Sequence, residues 1–250
     1  MGKAVAWFRY YEELNDFLPL TMRNKSFPYS FNGRPSIKDA IESHGVPHVE
    51  VDLILVNSRS VNFSYKLKDE DKISVFPVFE SFDITPVTRL RAKPLRELKF
   101  IADVHLGKLT RFLRLCGFNV HYLRNATNKE IINHSVNEKM VILTRDIELL
   151  KNKKVTHGYW VRSQKPTEQL KEILIRFDLE KQIKLFTRCM ECNGLLQEVS
   201  KREIIKRLQP KTIEYYEEFR ECSGCKRIYW EGSHYERMKN SVENIIKSLN

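Results

Sequence analysis

Four cysteines in two CxxC pairs, Cys189-Met-Glu-Cys192 and Cys222-Ser-Gly-Cys225, carry the clearest chemistry in the sequence. A CxxC turn aims two sulfurs at one point, and two such turns complete the tetrahedron that a structural zinc ion prefers. Gly194 and Gly224 suit such knuckles, where backbone must approach sulfur and positive φ is often needed. The 29 residues between the pairs exceed the commonest spacing, and a helix-like insert over 201–208 accounts for the excess. With every position filled by sulfur, the ion is expected to fold the ribbon rather than react, and His234 has no vacancy to fill. The competing readings are two unrelated reduced pairs or a redox CxxC.

A second constellation is acidic. Asp103 and Asp146 each follow a strongly apolar, strand-like run, Lys99–Ala102 and Met140–Thr144. In an open sheet of parallel strands, ligands bind at the carboxyl ends, so both carboxylates are expected at one edge. Such a pair can hold Mg²⁺ or Mn²⁺ through a few direct bonds, and an ion there can activate water against a phosphodiester. The alternative for both is helix N-capping. Glu130 is a third candidate, but Thr127-x-x-Glu130 is also a capping-box pattern. Lys108, Arg111 and Arg114 recur at helical spacing and form either a phosphate-binding stripe or an ordinary solvated face. Arg145 is placed to reach a phosphate or to pair with an acid. His105 reads as a substrate contact or a packed side chain.

The charge balance agrees with a polyanionic partner. The chain carries a formal net charge of +11. Residues 1–86 hold 10 basic and 12 acidic side chains, whereas the remainder holds 33 and 20. A basic half beside a near-neutral half points to nucleic acid for the basic half, against the plainer reading of a solubility surface. No run approaches the ~18 apolar residues of a membrane span. The segment Met1–Val5 lacks a secretory apolar run, so a cytoplasmic location is expected. The odd count of five cysteines fits metal better than disulfides there.

The elements that must position these residues fall into α/β and α+β parts. Over 1–86, strands at 4–10 and 27–31 precede a helix that starts at Ser36 and ends at Gly45. Strands at 51–56 and 73–78 follow, with Val61–Phe63 between them. This is an α+β domain. Residues 87–97 form a basic linker. Over 98–185, strands alternate with helices at about 106–116, 128–138 and 166–177, which predicts a parallel sheet covered by helices. Residues 186–250 hold the cysteines and a C-terminal helix.

Two resemblances organise this reading. The segment "FNGRPSIKDAIESHGVPHVEVDLILVNSRSVNFSYKLKDEDKISVFPVF" resembles the ubiquitin-like β-grasp fold, in particular its sulfur-carrier branch. Sulfur carriers end in Gly-Gly, whereas here the chain runs on through Glu80-Ser-Phe-Asp-Ile-Thr-Pro86. The resemblance therefore implies the fold, with docking on the nuclease half or on a protein partner, rather than sulfur transfer. The strings "KFIADVHLGKLTRFLRLCGFNV", "VILTRDIELL" and "RCMECNGLL…FRECSGCKRIYWEGSHYERM" together resemble the Mut-seven C-terminal ribonuclease family, a PIN-like nuclease with an appended zinc ribbon. That resemblance implies metal-dependent endoribonuclease activity by acids at Asp103 and Asp146 and near Glu130. The segment around Glu130 is poorer in aspartate than the family's. On this reading Lys226, Arg227, Tyr229, Trp230 and His234 flank the ribbon and grip RNA by charge and stacking, the RNA being tRNA, rRNA or the ribosome. The alternative is a non-catalytic RNA- or ribosome-binding protein on the same basic surface.

Overall fold

The computed structural model describes residues 3–77 and 98–248; the expected linker at 87–97 lies outside the described residues. Strand β1 (Ala4–Tyr10) points Ala6, Phe8 and Tyr10 inward and pairs antiparallel with β2 (Phe27–Phe31). Helix α1 (Ile37–Ser43) begins where Ser36 Oγ accepts the Asp39 N–H at 3.2 Å, and it buries Ile37, Ala40 and Ile41. Strand β3 (Val51–Val56) turns back into β4 (Arg59–Ser60) through Asn57 and Ser58, both at positive φ. That turn matches strand twist, as primed hairpin turns do. The short partner of β3 thus lies just before Val61–Phe63. Strand β5 (Lys72–Pro77) pairs parallel with β1 and antiparallel with β3. The order is β2-β1-β5-β3-β4, and α1 belongs to the same core.

Buried Asp71 ties this sheet together. It accepts from Asn57 Nδ2 at 3.1 Å, the Tyr65 hydroxyl at 3.0 Å and the Lys68 N–H at 2.9 Å. One carboxylate thereby joins the "LVNSRSV" turn to the "LKDEDKISVFP" segment.

Beyond the undescribed stretch, β6 (Phe100–Ala102), α2 (Gly107–Leu115), β7 (Val120–Tyr122), α3 (Asn128–Glu138), β8 (Val141–Thr144), α4 (Ile147–Leu150), β9 (Gly158–Trp160) and α5 (Pro166–Arg176) follow in order. Strands β7, β6 and β8 are neighbours in that order, both pairings parallel. Every residue of β6 and β8 is buried, the pattern of parallel strands covered on both faces. Helix α2 buries Leu109 and Leu113, with Leu106 and Cys116 continuing the same face. Gly117 closes it at φ +94°, where an added Cβ would meet the Lys184 carbonyl oxygen at 2.5 Å.

The C-terminal part contains β10 (Leu196–Val199), α6 (Lys201–Ile204), α7 (Pro210–Tyr215), β11 (Phe219–Cys222), β12 (Ile228–Tyr229) and α8 (Ser233–Lys247). The three strands form an antiparallel ribbon, β10-β11-β12. The insert expected at 201–208 is present as α6 and a 3₁₀ turn, Ile205–Arg207; α7 adds a further helix. No helix among the described residues is long and apolar enough to cross a membrane.

The chain forms two compact units, and their limits cut across the linear order. The first takes residues up to 97 together with 146–160; the second takes 98–145 and 161 onward. Within the first unit, His48 Nε2 donates to the Val155 carbonyl at 3.0 Å, Trp160 N–H donates to Glu50 at 2.6 Å, and the Phe17 and Trp160 rings lie 4.9 Å apart.

Candidate functional site

The cysteines meet beside the ribbon. Asn193, at positive φ, turns the chain so that its N–H reaches the Cys189 carbonyl at 3.0 Å, and Cys192 N–H points at Cys189 Sγ. Lys226, also at positive φ, repeats the turn after Cys222, its N–H 3.1 Å from the Cys222 carbonyl. A side chain at Gly194 would place its Cβ 2.9 Å from Cys222 Sγ, so the close approach of backbone to sulfur requires glycine there.

The four sulfurs lie within 4.8 Å of one another, with Cys189–Cys225 at 3.6 Å and Cys192–Cys222 at 3.3 Å. Zinc–sulfur bonds of about 2.3 Å in a tetrahedron would set the sulfurs about 3.8 Å apart. The donor set therefore fits a metal ion such as zinc. Burial opposes ionisation of Cys192, but hydrogen bonds from Gly194 N–H and the neighbouring thiols outweigh it and hold the group at about 6. Burial, with the bonds from the neighbouring thiols, pushes Cys225 up to about 12. Four thiols this close share charge poorly until a cation joins them. The fifth cysteine, Cys116, is a core residue whose thiol burial pushes up to about 12.

Two side chains support the cysteines from behind. The Tyr229 hydroxyl lies 3.0 Å from Cys189 Sγ and is raised well above the usual phenol range, first by burial and then by that sulfur. Tyr229 is buried and so is not available for stacking on a base, contrary to the sequence expectation. Arg114 is a second correction. It is 4% exposed, and its guanidinium donates to the carbonyls of Val120 (2.9 Å), Met190 (3.0 Å) and Glu191 (2.7 Å). The basic stripe on α2 thus stops at Arg111, because Arg114 turns inward to clasp the first knuckle. Burial lowers its pKa, whereas the adjacent Cys189, Cys192 and Glu191 charges raise it.

Each acid is engaged with backbone. Asp103, 4% exposed, accepts from His105 N–H on Oδ1 (2.8 Å) and from Arg145 N–H (3.0 Å) and the Thr144 hydroxyl on Oδ2. Asp146 caps α4, accepting from Glu148 N–H (2.9 Å) and Leu149 N–H (3.4 Å). Glu130 completes the capping box of α3: its Oε2 accepts from Thr127 N–H (2.7 Å) and hydroxyl (2.9 Å), and these bonds hold its pKa below the usual range. Among the described residues these acids do not gather into a ligand group of three or more. Arg145 spends its guanidinium on the carbonyls of Val161, Arg162 and Ser163. His105 is exposed.

Next to Asp103 in the chain, a cleft of about 680 Å³ opens. Lys108, Arg111, Arg114 and Arg124 line it, together with His105 and Tyr122. Its one lining carboxylate, Glu191, pairs with Arg111 at 2.6 Å and Arg124 at 3.2 Å. Thr110 also lines it; its hydroxyl is buried and has no hydrogen-bond partner among the described residues. Arg124 and Glu191 were not apparent from spacing. Arg124 follows β7 at the carboxyl edge of the sheet, a position that the strand-end rule selects. Glu191 sits between two cysteines and gave no signal of its own.

Of the ribbon residues expected to touch RNA, Lys226 and Arg227 are exposed and Trp230 is half-buried. The side chain of His234 lies outside the described residues.

In comparisons with known proteins, the family model for the Mut7-C RNAse domain matches residues 98–242, and that for the Mut7-C ubiquitin domain matches residues 3–83. A search of curated proteins and a search of solved structures each returned no match.

Proposed function

We propose, from the premise that the chain belongs to the Mut7-C RNAse family, that it is an endoribonuclease hydrolysing phosphodiester bonds of RNA held in the basic cleft. The observation that carries this reading is the cleft itself. It brings Lys108, Arg111 and Arg124 together with a buried, unpartnered hydroxyl at Thr110.

Asp103 and Asp146 are the residues proposed to act on the scissile phosphate. Three of the roughly four lone-pair positions on the Asp103 carboxylate are occupied. This leaves room for one direct bond, and the three hydrogen bonds fix its direction. Asp103 and Asp146 would hold Mg²⁺ or Mn²⁺, whereas Glu130 serves as the cap of α3 and is left out of the ion's ligands. An ion so held would supply water activation and charge neutralisation at the phosphate. Lys108, Arg111 and Arg124 would neutralise the flanking phosphates, and Thr110 would donate to a phosphate oxygen. The cysteines would hold one structural zinc, which keeps the first knuckle, and through it Arg114, in place.

The caps formed by Asp103, Asp146 and Glu130 favour a second reading, that of an RNA-binding protein without catalysis. Cleavage of a mixed RNA pool with Mg²⁺ or Mn²⁺ separates the two. Asp103→Asn and Asp146→Asn should each reduce cleavage by at least about a hundredfold while RNA binding persists. Cleavage that is equal in wild type and both variants, or absent from all three, would sink the nuclease reading and leave the binding one. The ubiquitin-like region is proposed to contact a protein partner.

A further inference from the structure

A second groove of about 520 Å³ lies beside the cysteines, and its lining differs in kind from that of the basic cleft. Tyr216, Trp230 and the thioethers of Met190 and Met238 supply aromatic and polarisable surface, with Arg227 at the border. Arg111, Met190 and Glu191 line both spaces, so the basic cleft and the aromatic groove adjoin at these three residues. Charge is therefore concentrated at one end and ring surface at the other. A strand of nucleic acid divides in the same way, into phosphate and base.

The Trp230 ring is held in place. A Cβ at Gly232 would stand 2.8 Å from Trp230 Nε1 and 3.4 Å from the Tyr216 hydroxyl, so glycine lets the indole lie against the backbone. Tyr216 and Phe219 flank it, with ring centroids at 6.2 and 6.4 Å. Trp230 is nevertheless half-buried rather than buried, and so is Tyr216. Rigid rings that keep part of a face exposed make a stacking platform at little entropic cost.

We propose that this groove binds an unpaired RNA base whose neighbouring phosphates occupy the basic cleft, which makes the chain selective for single-stranded RNA. The proposal rests on the RNA reading above. A paired base presents only its edge, because A-form stacking hides its faces; stacking on Trp230 or Tyr216 requires the base to be out of the helix. Glu191 acts as the competitor. In the free protein its carboxylate occupies Arg111 and Arg124, and an incoming phosphate must take those donors from it. Arg111 then contacts the phosphate between the cleft and the base.

The test uses the full chain carrying Asp103→Asn and short labelled oligoribonucleotides, with binding read by fluorescence anisotropy. A series of strands, each missing one base, should show one or two positions where removing the base weakens binding by roughly 5- to 150-fold, the range for one stacked base. In Trp230→Ala or Tyr216→Ala, those positions should lose their distinction, because the intact strand then binds no better than the abasic one. Trp230→Phe keeps a ring face and should retain most of the preference, which separates lost stacking from lost folding. A duplex of the same sequence should bind more weakly than the single strand. Equal affinity for intact and abasic strands at every position, or for duplex and single strand, overturns the base site. Those binding results stand apart from the cleavage comparison of wild type with Asp103→Asn, which tests only the nuclease reading.

Discussion

Replacing Arg114 should loosen the first cysteine knuckle from α2. By spacing Arg114 belongs to an exposed, phosphate-facing stripe; in the structure its guanidinium satisfies three carbonyls, two of them in the first cysteine knuckle. Arg114→Met keeps the apolar stem and removes the donors. Each hydrogen bond from a charged group contributes about 1.5–3 kcal/mol net, so three amount to roughly 4–9 kcal/mol. The desolvation cost of a buried guanidinium, avoided in the variant, offsets several kcal/mol of this. The expected loss is therefore about 3–5 kcal/mol, or a fall of roughly 6–20 °C in the melting temperature of the unit that holds it. Arg114→Lys should recover part of the loss, because an ammonium on a flexible stem cannot span three carbonyls. Thermal melts followed by hydrogen exchange over residues 186–235 provide the readout. A melting temperature within 2 °C of wild type, as measured for Arg114→Met, would refute the clasp. If the variant were equally stable and its RNA binding lost about one unit of salt-dependence slope, Arg114 would be a phosphate contact after all.

Three further predictions follow from the same geometry. Tyr229→Phe removes the hydroxyl from Cys189 Sγ and should weaken zinc binding by about 10- to 100-fold in chelator competition; unchanged affinity would show that the hydroxyl gives the thiolate nothing. Gly117→Ala forces a methyl against the Lys184 carbonyl at positive φ and should cost more than about 2 kcal/mol, so a neutral denaturant midpoint would contradict that contact. His44 is half-buried among Phe8, Tyr10, Phe27 and Tyr29, accepts the Tyr10 hydroxyl at 2.7 Å, and is lowered by desolvation to about 4. Its neutral form stabilises the first unit above pH 6.5. That contribution should be lost as pH falls from 6.5 through 4, to a limit of about 3 kcal/mol. A His44→Gln variant with the same acid sensitivity as wild type would assign the effect to other groups.

What the sequence made legible follows from how local each signal was. Period-two and period-3.6 patterns are written in consecutive residues, so β1, β3, β8, α2 and α3 lie within a residue or two of where patterning put them. The cysteine group was legible because tight turns fix sulfur geometry within four residues. Arg114 was misplaced because spacing describes a helix as a cylinder with two faces, and Cys189–Cys192, 75 or more residues onward, cover part of the polar face. The same distance hid Glu191 as a partner of Arg111 and Arg124. For Asp103 and Glu130 both chemical readings were already visible, because a carboxylate at a strand-to-helix junction suits a cap and a ligand alike. The hydrogen bonds establish the caps and leave the ligand role to the cleavage assay.

The partition of the chain bears on modularity. A ubiquitin-like module is usually thought of as a bead that one cut would release. Here residues 146–160 belong to the same compact unit as residues up to 97, and His48 and Glu50 bond to backbone groups of Val155 and Trp160. The polypeptide leaves this unit, returns to it and leaves again. Cutting near residue 90 would not yield two finished proteins: the N-terminal fragment would lack residues 146–160, which belong to its compact unit. The folding of residues 146–160, which Asp146 opens, is thus expected to depend on residues far earlier in the chain.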